Sequence, residues 1–426
     1  MPQYTSETIE FAEQEELKLN ALHRREHSDQ DDPRDEYRDE YRRDYARVLY
    51  SSSFRRLQGK MQLLGINPTY FHRNRLTHSL EVAQIAGEIA RALKLKHPVV
   101  CEICSLSHDL GNPPFGHAGE EVLNDLAKDL GGYEGNAQTF RILRHLEMRR
   151  YNYDGLNLTL RTLFGVTKYF HKKDENPDKP NKFLYDEDHD FLKSKLAEER
   201  IYIKKSIDAQ IMDLADEIAY AAHDLEDALG FGLMTLSEVM YEFKISKKFS
   251  EARDSFDTIA TRARNQALRA NRLDTSEEYS YILKKELTAN IVHTLVNDID
   301  KVECQKDSYQ LGYKQFGKLA EGLKKLVFKT LLRKKDVQLY EKQGERIIKG
   351  LFEVYTDSQF NKELSLLPPE LRAISKTLKG DLKNRVVIDY IAGMMDSFAE
   401  QEYQRYFGSS SLDMIYDRNT WSKQKG

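Results

Sequence analysis

The stretch that most constrains this chain is residues 108–120, with the sequence HDLGNPPFGHAGE. Gly111 and the two prolines that follow it stop any helix, so the stretch must form a fixed loop. His108 and Asp109 offer an imidazole nitrogen and a carboxylate oxygen from neighbouring positions. This mixed donor set suits a divalent metal such as Mn, Fe, Zn, Co or Ni. The stretch therefore predicts a metal site on a loop between helices.

The end of this loop carries a second pair of ionisable residues, His117 and Glu120. Residues three apart share a face of a helix, so these side chains meet if a new helical turn begins here. Such a pair can transfer protons in a hydrolytic site. The alternative interpretation is that both residues only cap the new helix.

A metal needs further ligands, and His78 is the first candidate. Apolar residues recur at helical spacing over positions 82–93, which places His78 in the first turn of a packed helix. An isolated His-Asp dipeptide is a weak signal, because His223-Asp224 is a second one in this chain. The pair at 108–109 is favoured because His78 precedes it and the Gly/Pro loop follows it.

A second amphipathic pattern covers residues 207–230 and is rich in carboxylates on one side. Asp216, Tyr220 and Asp224 are spaced four apart and lie on one face of the predicted helix. Asp213 lies on the same helix, and spacing alone does not separate it from Asp216 as a metal ligand.

The composition excludes several classes of protein. The chain has 426 residues, enough for two or three packing units and a substantial core. Its net charge of −4 gives no basic excess for nucleic acid as the main ligand. No window approaches the roughly 18 apolar residues of a membrane span, and residues 1–10 do not resemble a signal peptide. Three cysteines are too few for a disulfide framework, so we expect a cytoplasmic protein with no membrane partner.

The order of His78, His108-Asp109 and Asp216 resembles the ligand pattern of the HD metal-dependent phosphohydrolase superfamily. The resemblance extends to the bacterial dGTPase-like deoxynucleoside triphosphate triphosphohydrolases. Five motifs carry it in the right order: SSSFRRLQGKMQL at 51–63, RLTHSLEV at 75–82, the loop at 108–120, YEGNAQTFRIL at 133–143 and IMDLADEIAYAAHDLED at 211–227. A weaker echo, DYIAGMMD, occupies residues 389–396.

The resemblance implies a mainly α fold, with an HD-domain helical core, an appended C-terminal helical lobe and short β hairpins at most. We predict four parts of the chain: a charged N-terminal arm over 1–45, the HD catalytic core over 46–240, a helical lobe over 241–380 and a C-terminal segment over 381–426 that returns to the core. The dense charges of residues 24–45 are typical of a solvated helix or arm.

The resemblance also implies which residues form the site. It assigns four metal ligands: His78, His108, Asp109 and Asp216. It favours Asp216 over Asp213 because the family places its metal Asp four residues before a Tyr and eight before an Asp. In the family's catalytic dyad, Glu120 would orient His117, which would handle protons near the attacking water or the leaving oxygen.

Substrate contacts are implied for Gln62, Arg75, Asn112, Lys168, Tyr169, Lys182, Tyr220, Asp224 and Arg385. Gln62 matches a position that touches the sugar 3′-hydroxyl, and Arg75 offers bidentate contact to phosphate. Many members have His where this chain has Asn112, which can hydrogen-bond a phosphate oxygen but cannot carry a proton. The Lys168-Tyr169 pair resembles one that meets the phosphates, and Tyr220 would lie on the deoxyribose or base.

Arg385 begins an amphipathic pattern near the C-terminus. One interpretation aims Arg385 at the triphosphate, because a helix N-terminus favours an anion. The other pairs it with an acidic neighbour, Asp381 or Asp389. The sequence leaves both open.

The activity that the resemblance implies is hydrolysis of dNTPs, such as dGTP, to deoxynucleoside and inorganic triphosphate. It further implies Mg²⁺ bound with the triphosphate, a dNTP effector, a homo-oligomer (a hexamer) and single-stranded DNA as an additional ligand. The residues alone indicate only metal-assisted phosphoester hydrolysis. Two alternatives stay open: another HD-type nucleotide phosphohydrolase, and a nucleic-acid-binding regulatory protein with a vestigial HD site.

Overall fold

The computed structural model describes residues 3–27, 39–62, 73–148, 150, 152–270, 273–306, 308–376, 378, 380 and 382–408. Within these ranges the chain is mainly helical, with one two-stranded antiparallel sheet. The predicted fold class, an HD-type helical core with further helices toward the C-terminus, is confirmed. None of the described helices combines the length and the apolarity that a transmembrane segment needs.

The helices fall into two stretches of the chain. The first contains α1 (Ser6–Leu17), α2 (Glu40–Leu49), α3 (Ser52–Arg56), α4 (Arg75–Ala92), α5 (Pro98–Ser107), α6 (Gly116–Leu126), α7 (Gly135–Arg141), α8 (Leu160–Gly165), α9 (Asp186–Glu198), α10 (Ile207–Ala219) and α11 (Leu225–Gly230). The second contains α12 (Leu236–Ile245), α13 (Arg253–Ala267), α14 (Ser276–Asn297), β1 (Ile299–Gln305), β2 (Ser308–Tyr313), α15 (Gly317–Leu331), α16 (Lys335–Thr356), α17 (Pro369–Lys376), α18 (Leu382–Ala392) and α19 (Asp396–Phe407).

Helix α4 begins with a capping box that fixes the position of His78. The Asn74 side chain accepts a hydrogen bond from the Thr77 backbone N–H, and the Thr77 hydroxyl accepts one from the Asn74 N–H. These bonds satisfy N–H groups that the first turn of a helix leaves unpaired. His78 follows directly and is fully buried, because α4 packs against α5 and α10.

The loop predicted between two helices is present between α5 and α6. Phe115 and Gly116 adopt left-handed conformations, with φ of 62° and 57°. Such a conformation is unfavourable for a residue with a Cβ, so Phe115 must be held there by its contacts. This corner turns the chain into α6, whose first turn carries His117.

The pattern over residues 207–230 forms one continuous helical run. Helix α10 is capped by the Ser206 side chain, a π-helical turn spans Tyr220–Asp224, and α11 ends at Gly230. A π turn holds an extra residue, so the side chains that follow it are rotated relative to a regular α-helix. Asp216 lies on α10, before the π turn, whereas Tyr220 and Asp224 are the first and last residues of that turn.

Two hydrophobic clusters organise the interior. The larger one joins α4, α5, α8 and α10 to the later helices α12, α13, α14 and α15. The smaller one joins α6 to α16, α18 and α19. The sequence of residues 327–351 has one long, charged helical pattern. The structure interrupts this pattern, because α15 ends at Leu331 and α16 begins at Lys335. The break sends the two helices into different clusters.

The described part of the N-terminal region is packed rather than free. Ala12, Leu19 and Leu22 belong to the larger hydrophobic cluster, and the Tyr4 hydroxyl donates to the Val296 carbonyl oxygen at 3.1 Å. Residues 28–38 of the predicted arm and residues 409–426 of the predicted C-terminal segment lie outside the described ranges. The four-part division of the chain stays a prediction.

Candidate active site

Four side chains, from α4, from α10 and from the loop that follows α5, converge in the interior. One ligand atom each from His78, His108 and Asp109 lies within 4.8 Å of the others, and all three residues are buried. Asp216 completes the group: its Oδ1 is 3.2 Å from His78 Nε2 and 3.4 Å from His108 Nε2. The structure thus brings together all four residues that the sequence predicted as metal ligands.

The environment of His108 fits a metal ligand. Its Nδ1 is 2.6 Å from the Ser105 carbonyl oxygen, which can only accept, so Nδ1 carries the proton. Its buried Nε2, which would present its lone pair to a metal, makes no well-aligned hydrogen bond to any group in the described ranges. A ring nitrogen anchored through the opposite N–H is the usual arrangement of a metal-binding histidine. The residues present therefore suit a divalent metal.

Strong charge coupling marks the same group. Burial alone would raise the pKa of Asp109, but the adjacent His108 and Arg75 lower that pKa to about 2. Burial alone would lower the pKa of His108, but the carboxylates of Asp109 and Asp216 raise it to about 9. The pKa of Asp216 falls well below its usual range, because Lys168 and His108 outweigh its burial. The carboxylates are therefore ionised and attract a cation.

Asp213 and Asp216 have different partners. Lys168 Nζ lies 2.7 Å from Asp213 Oδ1 and 3.0 Å from Asp216 Oδ2. Asp213 also pairs with Lys205, whereas the second oxygen of Asp216 faces the two histidines. The geometry favours Asp216 as the ligand, in agreement with the family pattern.

A cavity of about 410 Å³, called here the central cavity, adjoins this group. Every residue predicted for the site lines it except His78, which is buried behind His108, and Arg385. The predicted residues that line it are Gln62, Arg75, His108, Asp109, Asn112, His117, Glu120, Lys168, Tyr169, Lys182, Asp216, Tyr220 and Asp224. The structure thus collects residues from five sequence motifs around one space.

His117 and Glu120 form the predicted pair in the first turn of α6. His117 Nδ1 is 3.5 Å from Glu120 Oε2, and 59% of the His117 side chain is exposed. Glu120 Oε1 accepts from the Gly135 backbone N–H at 3.1 Å and from Lys182 Nζ at 3.2 Å. The Glu120 carboxylate raises the pKa of His117, while His117 and Lys182 outweigh burial and lower the pKa of Glu120 to about 2.

Gln62 and Asp224 point unsatisfied polar atoms at the central cavity. The Oε1 and Nε2 atoms of Gln62 and the Oδ1 atom of Asp224 are buried, yet they have no hydrogen-bond partner among the described residues. Burial also raises the pKa of Asp224 well above its usual range. Buried polar groups without partners are costly and rare in folded proteins. These atoms are therefore suited to hydrogen-bond a ligand.

Comparison with known proteins agrees with this geometry. The model of the HD domain matches residues 75–221, and that of the phosphohydrolase-associated domain matches residues 314–405. The chain is 59% identical to the deoxyguanosinetriphosphate triphosphohydrolase-like protein 2 of Vibrio cholerae serotype O1, over 97% of this chain and 99% of that protein. The chain belongs to the deoxyguanosinetriphosphate triphosphohydrolase-like family of HD-domain proteins.

Other members of the family are more distant but match nearly the whole chain. Deoxyguanosinetriphosphate triphosphohydrolase-like proteins of Shewanella pealeana and Shewanella sediminis are each 34% identical to it, over 87% of this chain and 92% of each relative. Together with the buried His-His-Asp group, the matches support a phosphohydrolase with a group that could hold a metal.

Sequence reasoning missed the contribution of α15 and α16 to the central cavity. These helices supply Lys324, Lys325, Phe328, Leu331, Val337, Tyr340 and Glu341 to its wall, and Leu332 lies between them. Lys324 Nζ lies 4.4 Å from the centre of the Tyr220 ring. The only available signal was the long, charged helical pattern over residues 327–351, which predicts a helix but not what it packs against.

Arg385 does not reach the central cavity, which corrects one interpretation of the sequence. Its guanidinium donates to the Gly132 carbonyl oxygen at 2.8 Å and to Gln138 Oε1 at 3.1 Å, and it lies 4.1 Å from the centre of the Tyr185 ring. Its Nε is 3.6 Å from Asp389 Oδ1, one turn along α18. The structural pairing with Asp389 is therefore observed, while Asp381 lies outside the described residues.

Arg385→Ala tests this placement. We expect KM for nucleotide and metal content to stay within about twofold of wild type, because Arg385 is not part of the cavity wall. The melting temperature should fall, since the change removes the side-chain donor of the Gly132 carbonyl oxygen and one of the two donors of Gln138 Oε1, where the Tyr185 hydroxyl remains. Thermal unfolding and steady-state kinetics measure both quantities. A raised KM at an unchanged melting temperature would return Arg385 to the substrate site.

The second His-Asp dipeptide is separated from the metal-capable group. His223 Nδ1 lies 2.8 Å from Glu81 Oε2, and His223 lines a different groove together with Arg73 and Lys285. We therefore expect His223→Ala to keep most of the bound metal and most of the activity, whereas His108→Ala should lose both. Metal analysis of the two purified variants provides the comparison. Equal metal loss in both would reject the assignment of His108.

Glu120→Gln tests the coupling between Glu120 and His117. The Glu120 carboxylate raises the pKa of His117, so a neutral amide should let that pKa fall. The limb of the pH–rate profile that reports His117 should then move to lower pH. Glu121→Gln is the comparison, because Glu121 contacts the same imidazole but raises its pKa less than Glu120 does, so the limb should move less in this variant. If the pH–rate profile of Glu120→Gln is the same as that of wild type, Glu120 does not take part in the proton-transfer step.

Proposed function

We propose that this protein hydrolyses deoxynucleoside triphosphates at the α-phosphorus and releases deoxynucleoside and inorganic triphosphate. One observation carries the proposal: a single cavity joins the buried His/Asp group to basic residues, to unsatisfied polar atoms and to an apolar wall. These four surfaces match the reacting phosphate, the remaining phosphates, the sugar hydroxyl and the base.

The phosphate end is supported by cations beside the metal-capable group. Arg75 donates to Asp109 Oδ2 at 2.7 Å, and Lys168 pairs with Asp216. Lys182 is held by Glu120 and, at 2.9 Å, by Glu134, so it adds charge from the opposite wall. A triphosphate carries roughly four negative charges and needs several such cations. Mg²⁺ would neutralise part of this charge when it accompanies the nucleotide.

A divalent metal held by His78, His108, Asp109 and Asp216 would supply Lewis-acid activation of the phosphate and of water. The chain's own residues do the rest. Arg75 fixes the Asp109 carboxylate, and Asn112 donates to its other oxygen. His117, oriented by Glu120, transfers a proton at the leaving 5′ oxygen. The Asn112 side chain has no proton to give, so His117 is our candidate for that step.

The sugar and base would occupy the remaining surface. Gln62 and Asp224 would bind the 3′-hydroxyl with their unsatisfied atoms. The Tyr220 ring lies 5.0 Å from the His78 ring and 4.4 Å from Lys324 Nζ, and these neighbours would hold it as a close wall for the ribose. A 2′-hydroxyl would be excluded by contact with such a wall. Phe328, Leu331 and Val337 provide apolar surface for the base.

Further properties of the proposal rest on the family resemblance. These are a cytoplasmic location, a homo-oligomeric and hexameric assembly, a dNTP effector and single-stranded DNA as an additional ligand. Gel filtration with light scattering, run with and without dNTP, would test the assembly and the effector together.

Product analysis tests the activity itself. The purified protein is incubated separately with each dNTP and with GTP, in the presence of Mn²⁺ and Mg²⁺, and the products are separated by anion exchange. Inorganic triphosphate and deoxynucleoside from dNTPs, with no turnover of GTP, would support the proposal. Pyrophosphate or orthophosphate would instead indicate another HD-type nucleotide phosphohydrolase. Binding without turnover would indicate a regulatory protein with a vestigial site.

A further inference from the structure

Asp396, the first residue of α19, joins three separate segments behind the wall of the central cavity. Its Oδ1 accepts a hydrogen bond from the Phe115 backbone N–H at 3.1 Å. Its Oδ2 accepts one from the Met61 backbone N–H at 3.0 Å and one from the Tyr340 hydroxyl at 2.8 Å. All three donors belong to residues that line the cavity, whereas Asp396 itself does not.

Two of the donors lie within two residues of a side chain of the proposed site. Met61 precedes Gln62, whose side chain points unsatisfied atoms at the cavity. Phe115 is the left-handed corner that sets the direction of α6 and therefore of His117. A residue with a Cβ stays in that conformation only when its surroundings hold it, and the Asp396 carboxylate supplies the hydrogen bond that does so.

Packing around Asp396 also holds these segments together. We call the hydrogen bonds of Asp396 to Met61, Phe115 and Tyr340 the clamp. The Phe115 and Tyr340 rings lie 5.6 Å apart in an edge-to-face arrangement. A Cβ built on Gly344 would come within 2.5 Å of Phe115, and one built on Gly59 within 2.4 Å of Met395 Sδ. The buried Lys60 donates to the carbonyl oxygens of Asn112 and Ala392, the second at 2.7 Å. The C-terminal segment is therefore tied to the loop at several neighbouring points.

We propose that Asp396 is a positioning residue, which holds the Phe115 corner and the Met61 backbone so that His117 and Gln62 face the substrate. The inference rests on the proposed function and deepens it, because it gives the first residue of α19 a role in positioning the proposed site. A carboxylate suits this task since it offers acceptors only, and all three of its partners are donors. In Asp396→Asn the amide would turn an N–H₂ group toward these donors.

The test compares Asp396→Asn with a matched control on the same helix. Glu402→Gln changes another buried carboxylate of α19, which accepts from the Tyr355 hydroxyl at 2.9 Å and does not contact the cavity. We expect kcat of Asp396→Asn to fall by about tenfold or more at wild-type metal content, while kcat of Glu402→Gln stays within about twofold. Equal kcat in the two variants would overturn the proposal.

A double variant separates positioning from general destabilisation. Gln62 would bind the sugar, so the loss that Asp396→Asn causes through Met61 and Gln62 should appear in KM, whereas the loss through Phe115 and His117 should appear in kcat. The kcat of His117→Ala/Asp396→Asn should then equal that of His117→Ala alone. If the kcat losses of the two single variants instead multiply in the double variant, Asp396 does not act through His117. Should Asp396→Asn fail to fold, Tyr340→Phe removes one of the three bonds, and its effect on kcat should likewise vanish in the His117→Ala background. An effect that persists there would count against the clamp.

Hydrogen exchange keeps this test independent of the activity. In Asp396→Asn, amides of the peptide that contains Phe115 should exchange faster than in wild type, and in Glu402→Gln they should not. Unchanged exchange would refute the clamp even if the enzyme is active. If wild-type protein releases no triphosphate while the exchange pattern appears as expected, the proposed function fails and the clamp stands.

Discussion

Asp109→Ala is expected to abolish both metal binding and turnover, with activity reduced by roughly 10²-fold or more. Asp109 is a member of the buried His/Asp group and is held by Arg75 and Asn112. Its loss opens the ligand set and leaves Arg75 as an uncompensated buried cation. Both the lost ligand and the unpaired positive charge of Arg75 oppose the binding of a divalent metal at this site.

Metal analysis of purified protein, alongside kinetics, measures this result. Wild type should contain about one transition-metal equivalent per chain. Asp213→Ala is the matched control, because Asp213 is a nearby carboxylate that pairs with Lys168 and Lys205 instead of facing the histidines. It should retain the metal. Full metal occupancy in Asp109→Ala would show that the metal site lies elsewhere.

His117→Ala is expected to lower kcat by roughly 10² or more while metal content and KM stay near wild type. His117 lines the central cavity but is not part of the buried His/Asp group. Its removal takes away a proton carrier that acts in the transition state, and it leaves the ligands of the metal and the phosphates in place. Such a role lowers kcat without raising KM.

The contrary outcome for His117 is equally clear. A variant whose KM rises while kcat is unchanged would identify His117 as a binding residue and would leave the proton transfer without a carrier. His117→Gln should resemble His117→Ala, because glutamine can hydrogen-bond but cannot exchange a proton at neutral pH. Full activity in His117→Gln would also contradict the proposed role.

Much of the site could be predicted from the sequence because its chemistry is local. The His108-Asp109 pair, the Gly/Pro loop and the start of α6 are consecutive, so residue types and spacing already fix their relation. His78 and Asp216 were found from helix phase and family order, and the structure places both against His108. The family pattern was needed to choose Asp216, since Asp213 lies on the same helix.

Long-range packing could not be predicted from the same patterns. The charged helical pattern of residues 327–351 does not indicate that α15 and α16 form a wall of the central cavity. Arg385 illustrates the same limit, because a carboxylate one turn away and a distant phosphate are equally compatible with its sequence. The pairing of Lys182 with Glu120 and Glu134 likewise depends on how a loop returns to α6 and α7. Only tertiary contacts decide such cases.

The central claim is attack of water at the α-phosphorus, and hydrolysis of a dNTP in ¹⁸O-labelled water tests it most directly. Mass spectrometry of the separated products locates the label. The account predicts one ¹⁸O atom in the inorganic triphosphate and none in the deoxynucleoside, because the bond between phosphorus and the 5′ oxygen is the one that breaks. Label in pyrophosphate, orthophosphate or a deoxynucleoside monophosphate would contradict it.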